Sequence, residues 1–304
     1  MASGRQQGGR DRQLGAVSLD AVMTRLATPP RTWSLIVTIF GDVAAPRGGS
    51  LWLGTIQDIL APLGVDEGGV RTALSRLVAD GWVERTRIGR NSYFTLTPAA
   101  AGESRAAAAR IYGRPDEAHD GWTLAVMADA ALAERTRQSG AAGAAGRVGS
   151  ALVWPGRGRR VLSGEHEVVW LDVGSQGEAG DRALARSAWP LALLGEQYGR
   201  FIEVFGAFDA KGGDGGDGRS ATALRVLVVH ELRRIALREP ALPADALGPD
   251  WPGIAARDLA RRIWLRSLPA SERWLDATGR AAGGTLPRPE QPFGWHRGGP
   301  RNGD

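Results

Sequence analysis

Apolar residues fall at helical spacing from Trp33 onward, with Ile36, Val37 and Phe40 completing one stripe, and Thr28-Pro29-Pro30 ahead of them suits a helix start. A turn at Pro46-Arg47-Gly48-Gly49 and a short strand over Ser50–Trp52 follow, after which Ile56, Ile59 and Leu60 mark a second helix that ends by Gly64. Asp66 is a good N-cap for a third helix. Its buried stripe is expected to be Val70, Ala73, Leu74, Leu77 and Val78, which turns Arg71, Thr72, Ser75 and Arg76 outward. Gly81 closes it, while Gly68 and Gly69 near its start weaken it by roughly 1 kcal/mol each relative to alanine. The stretch Trp82–Ile88, the tip Gly89-Arg90-Asn91 and the stretch Ser92–Leu96 then predict a two-stranded hairpin with a basic end. Thr97-Pro98 caps a fourth, alanine-rich helix running to about Tyr112. Helix, short strand, helix, helix, hairpin, helix is the order of a winged helix-turn-helix.

Beyond this segment the pattern changes twice. Residues 113–185 alternate short apolar runs with glycine-rich stretches, Gly140–Gly149 and Gly174–Gly180, as strands joined by flexible loops do, so the region reads as α+β. Residues 186–278 return to helical periodicity, broken by the low-complexity loop Lys211–Gly218. The fold class expected is therefore α+β overall, divided into a disordered tail at 1–27, a winged-helix domain at 28–112, a central α+β domain at 113–185, a helical C-terminal domain at 186–278 and a second disordered tail, rich in Gly, Pro and Arg, at 279–304.

Composition narrows the chemistry. With 304 residues and 43% hydrophobic content the chain has ample core, and with no cysteine it holds no disulfide, thiolate metal site or cysteine nucleophile. The amino-terminal stretch lacks a signal-type apolar core and no apolar run is long enough to cross a bilayer, so a cytoplasmic protein without membrane association is expected. The formal charge is +5, and Lys211 is the only lysine among 38 basic residues. Arginine presents a planar donor fork matched to phosphates and guanine edges, although a GC-rich genome enriches it equally well. On the third helix and hairpin the reading is sharper. Arg71 and Arg76 can reach guanine edges or phosphates, Thr72 and Ser75 are short enough for close groove approach, and Arg85, Arg87, Arg90 and the adjoining Asn91 suit the backbone. Singly, each arginine is an ordinary solvated residue; together they form cations facing one polyanion, double-stranded DNA.

The run Thr28-Pro-Pro-Arg-Thr-Trp-Ser-Leu-Ile-Val-Thr-Ile-Phe-Gly-Asp42, the segment Gly48–Gly54, the stretch Val70–Trp82 and the tip Gly89–Tyr93 resemble the PaaX-type transcriptional repressors. Leu224–Arg234, then Glu239-Pro-Ala-Leu-Pro243, then Asp250-Trp-Pro-Gly253 resemble that family's C-terminal domain, in the expected order. The resemblance implies a homodimeric repressor of a catabolic operon, reading an inverted-repeat operator. It implies a winged helix, a central ferredoxin-like domain and a helical C-terminal domain, with release from DNA by an acyl-CoA such as phenylacetyl-CoA. For such an effector, Trp189, Tyr198, Arg200, Phe201, His230, Arg233 and Arg234 are the available cations and aromatic surfaces, while His230, in a helix whose Leu224, Leu227 and Val228 read as buried, equally suits a structural role.

No enzyme motif survives inspection and no cofactor is expected. His119, His166, His230 and His296 lack metal-ligand spacing, and the loop from Asp209 has Ser220 where a calcium loop needs glutamate. The rival readings are two. One is a metal-dependent nuclease, because the family's central fold is similar to small CRISPR-associated nucleases and Asp129 follows the strand Trp122–Met127 as their metal-binding aspartate does; an N-terminal helix cap is the plainer role for that residue. The other is a protein-interaction module that uses the winged helix without DNA.

Overall fold

The computed structural model describes residues 19–113, 120–140, 142–162, 167–210, 212, 216–289 and 294–296. Along the amino-terminal part run α1 (Leu19–Arg25), α2 (Thr32–Ile39), β1 (Ser50–Trp52), α3 (Leu53–Leu60), α4 (Glu67–Ala79), β2 (Val83–Ile88), β3 (Asn91–Leu96) and α5 (Pro98–Tyr112). The helices, strand and hairpin lie where the periodicity expects them, and β1, β3 and β2 form a three-stranded antiparallel sheet in that order. The buried face of α2 is Leu35, Ile36, Val37 and Ile39, with Trp33 left 37% exposed at its margin. Past Ile39 the helix widens into a π-turn over Phe40–Ala44, and this carries Asp42 into the core.

The middle of the chain contains β4 (Trp122–Val126), α6 (Ala130–Gln138), β5 (Gly146–Val148), β6 (Ala151–Pro155), β7 (Val169–Val173) and α7 (Gly177–Ala188). Its four strands pair antiparallel in the order β5-β6-β4-β7. The carboxyl-terminal part supplies α8 (Leu191–Asp209), α9 (Gly218–Ala236), α10 (Ala244–Leu247), α11 (Pro252–Thr278) and a small hairpin, β8 (Arg280–Ala281) with β9 (Gly284–Thr285).

These elements separate into two compact units that do not follow the linear division expected at 112, 185 and 278. One comprises residues 1–113, 200–234 and 255–304; the other comprises 114–199 and 235–254. The helical stretch 186–278 is thus shared between them, because long helices pass from one unit into the other. Two further corrections concern the tails. Residues 1–18 lie outside the described residues, but within the expected tail 1–27 the spacing of Leu19, Val22 and Met23 builds α1, and Val22 is fully buried. The tail expected over 279–304 is ordered through much of its length: Ala281, Leu286 and Trp295 are buried, Pro287 accepts a hydrogen bond from Arg47 at 2.9 Å, and Trp295 packs edge-on against Tyr112 and Trp264. Its Gly, Pro and Arg content masks these few apolar anchors.

The core of the second unit is carried by buried polar groups as well as apolar ones. Trp122 donates to the buried Asp181 at 2.8 Å, and the backbone N–H of Gln176 donates to the same carboxylate at 3.1 Å. The first unit holds a larger ionic centre. Asp42 accepts from Tyr112 (2.9 Å), Trp264 Nε1 (3.0 Å) and Arg225 Nε (2.6 Å), while Arg225 also donates to Glu272 at 2.5 Å and stacks over Trp264 at 5.2 Å. Arg47 binds Glu272 and Asp276 on the far side. Burial acts to lower the Arg225 pKa, yet the attraction of Asp42 and Glu272 outweighs it and holds the pKa raised; burial, then Asp42, raises Tyr112 well above its ordinary value. Removing one partner of such a buried pair strands the other charge. Asp42→Ala is expected to cost about 3–5 kcal/mol in urea unfolding, against less than about 1 kcal/mol for removal of an exposed carboxylate such as Glu67.

Candidate functional site

The outward face of α4 and the hairpin beside it gather most of the chain's exposed candidate contacts. The α4 helix starts because Asp66 accepts from the Gly69 N–H at 2.8 Å, and this cap offsets the two glycines in its first turn. Val70, Ala73, Leu74 and Leu77 are buried; Arg71, Thr72, Ser75 and Arg76 are exposed. Val78 departs from the expected buried stripe and is 38% exposed. Gly81, at φ +72°, ends the helix, and Thr97 donates to the Gly81 carbonyl at 2.9 Å while its oxygen caps α5 through Ala100. The hairpin turns through Gly89 and Arg90, with Gly89 at φ +59°, the conformation that a two-residue turn with glycine first demands. Arg85, Arg87, Arg90 and Asn91 are all exposed.

The pairing register decides which hairpin side chains meet α4. Arg85 faces Phe94 and Arg87 faces Ser92, so these four share one face of the ribbon. Two nitrogens of Arg85 donate to the Ser92 hydroxyl, at 3.2 and 2.8 Å. Between α4 and this face lies a cleft of about 270 Å³. Its polar side chains are Arg71, Ser75, Arg85 and Ser92; its apolar wall is Leu53, Leu74, Val78 and Phe94. Arg71 and Arg76 are paired along the helix with Glu67 (2.7 Å) and Asp80 (3.6 Å), all of these side chains being more than half exposed. Such pairs are worth little and give way readily to a stronger anion. Sequence reasoning missed Leu53, Leu74, Val78, Ser92 and Phe94 as site residues. The two-residue alternation of the hairpin links Arg85, Ser92 and Phe94, but nothing in the sequence brings them to α4.

The residues considered for an effector divide between the two units. In the second unit, Trp189 is buried against Trp122 and donates to the Ala144 carbonyl at 3.1 Å, and Tyr198 donates to Glu239 at 2.5 Å in a buried group shared with Trp251. In the first unit, Arg200 is exposed and Phe201 packs against Phe205. Also in that unit, His230 is buried, Arg233 donates to Ser34 at 3.3 Å, and Arg234 pairs with Glu231 at 3.1 Å. Asp129 caps α6, accepting from Leu132 N–H at 2.7 Å, and no group of three or more potential metal ligands occurs among the described residues. His119, His166, Lys211 and the side chain of His296 lie outside the described residues.

Comparison with known proteins bears on both parts of the chain. Residues 31–100 match the family model described as PaaX-like protein, and residues 189–277 match that of the PaaX-like protein C-terminal domain. The chain belongs to the PaaX-like family. It is 29% identical to the transcriptional repressor PaaX of Escherichia coli (strain K12), over 86% of this chain and 89% of that protein. Its fold is similar to that of a solved structure, the uncharacterized protein Rv0674 from Mycobacterium tuberculosis, with a TM-score of 0.51 at 20% identity, covering 79% of this chain and 97% of the other.

The amino-terminal PaaX-like segment contains every residue that lines the cleft. The C-terminal segment contains His230, whose Nδ1 lies 3.3 Å from the Thr38 hydroxyl and whose Nε2 lies 3.7 Å from Glu231. Burial, then the charges of Arg233 and Arg234, depress its pKa to about 3. An unfolded histidine titrates near 6.5, so the folded form binds this proton less readily, and the stability it contributes as a neutral group is present above about pH 6.5 and is lost as pH falls. Between pH 7.5 and 5, urea unfolding is expected to lose about 2 kcal/mol through this residue. His230→Gln flattens that dependence; an unchanged pH slope in the variant would show that the ring does not titrate in this window.

Proposed function

We propose that the chain is a transcriptional repressor that binds double-stranded DNA through a winged helix-turn-helix, with α4 entering the major groove and the β2–β3 hairpin lying over the adjoining backbone. The observation that carries this reading is the convergence of α4 and the hairpin on one cleft, where Arg71, Ser75 and Arg85 open together, with Thr72, Arg76, Arg87, Arg90 and Asn91 exposed around it. Base edges are read by Arg76 and Thr72, and phosphates are held by the hairpin arginines. The name of the Escherichia coli relative supports the same function. Two such surfaces on a homodimer would read an inverted repeat with fixed half-site spacing.

The sheet order β5-β6-β4-β7, all antiparallel, supports a ferredoxin-like arrangement in the second unit, with the crossover between β6 and β7 made by a loop over its described residues. No described helix is long and apolar enough to cross a membrane. In this reading an acyl-CoA thioester, phenylacetyl-CoA foremost, favours a dimer whose half-site spacing no longer fits, and it loosens DNA only as far as it prefers that second state.

Two measurements test this. Replacing Arg71, Arg76 and Arg90 together by alanine is expected to weaken binding to a selected duplex and to lower the slope of log affinity against log salt by about one for each phosphate that is no longer neutralised; unchanged affinity and slope would favour a protein-interaction role. Phenylacetyl-CoA and other acyl-CoA thioesters, titrated into the protein–DNA complex, are expected to release the duplex, and retention of DNA with all of them would remove the effector from the proposal.

A further inference from the structure

The cleft between α4 and the hairpin sets two chemistries side by side. Its rim has guanidinium and hydroxyl groups, and its wall is aliphatic and aromatic. At about 270 Å³ it falls below the roughly 300–1,000 Å³ of pockets that enclose a whole small ligand. What fits such a partly open cleft is a short piece of a larger molecule, anionic on one side and apolar on the other.

The geometry of a duplex supplies that piece. A helix in the major groove and a hairpin over the neighbouring groove have one sugar-phosphate strand between them, and the strand must pass through whatever concavity separates the two elements. Here the concavity is the Arg85 cleft. We infer that it seats a single deoxyribose-phosphate unit of the bound DNA, with Arg85 and Ser92 on the phosphate oxygens and Val78 and Phe94 against the sugar. The inference rests on the DNA-binding reading and assigns one contact within it.

Arg85 differs from the α4 arginines in how it is held. Arg71 and Arg76 each have a carboxylate one helical turn away, whereas Arg85 is oriented by the neutral Ser92 hydroxyl and forms no ion pair among the described residues. Ser92 is itself 8% exposed, so its position is set by the hairpin rather than by solvent. A guanidinium has five donors, and a hydroxyl that accepts from it retains a proton to give. The pair therefore presents an uncompensated charge in a fixed orientation, with less ordering left to do on binding than a free surface arginine requires. In this scheme Ser92 both orients Arg85 and touches the phosphate, and Arg85 carries the charge of the contact.

The test is a coupling measurement on the full chain. A duplex is selected by the wild-type protein from a randomised pool, and single backbone phosphates are replaced one at a time by neutral methylphosphonates. One position in each half-site is expected to weaken wild-type binding roughly tenfold, the size of one charge-assisted contact. In Arg85→Ala the same replacement is expected to cost less than about twofold, because the partner is already gone. Arg85→Lys keeps the charge without the fork and falls between them, and Ser92→Ala reduces the methylphosphonate effect while leaving the salt slope unchanged. Circular dichroism and urea midpoints matching wild type establish that the variants fold. Independent, multiplying losses from Arg85→Ala and from every methylphosphonate would overturn the assignment while leaving the repressor reading in place. If the wild-type chain selects no duplex at all, both fall together.

Discussion

A carboxylate at position 42 can be buried inside a protein only if every group around it is already in place. Asp42 is 1% exposed and is met by Tyr112, Trp264 and Arg225, the last of which is fully buried and continues to Glu272. These residues come from α2's π-turn extension, the end of α5, α9 and α11, so one ionic centre draws three distant stretches of sequence into a single unit. The desolvation cost of such charges is repaid only when the geometry is complete, which makes the centre an all-or-none fastening. Since α2 packs directly on α4, the placement of the outward α4 face depends on it.

The two classes of arginine in this unit illustrate opposite uses of one side chain. Arg225 and Arg47 are each 1% exposed and paired with carboxylates, and they hold structure. Arg71 and Arg76 are 58% and 73% exposed, with partners that compete against water and salt. A pair in high dielectric gains little, and for that reason it is exchangeable. The proposed DNA face is built from this second class together with Arg85, whose anchor is neutral. Composition counts all of these arginines alike, and only their surroundings separate scaffold from contact.

Much of the amino-terminal unit was legible because its signals are local. The Asp66 cap, the stripe Val70, Ala73, Leu74 and Leu77, the glycine at 81 and the Gly89-Arg90 turn each follow from backbone chemistry within a few residues. From them the exposure of Arg71, Thr72, Ser75 and Arg76 could be placed, and is found. The readings that failed were those where composition or periodicity stood in for packing. The stretch after Thr278 carries many glycines, prolines and arginines, yet Leu286 and Trp295 are buried. Val78 fits the helical stripe but lines an open cleft and is 38% exposed.

The sequence by itself determined the helices and hairpin of residues 32–112 and most of the sides that they turn inward, because helical and strand periodicities are properties of neighbouring residues and their caps. Tertiary structure alone decided that Asp42 meets Arg225 across 183 positions, that 200–234 and 255–304 join the amino-terminal unit, and that Arg85 and Ser92 face Arg71 and Ser75 across one cleft. Those outcomes depend on which surfaces can exclude water together. Burial of a charge or the shape of a cleft is a property of many distant residues at once, and no local pattern records it.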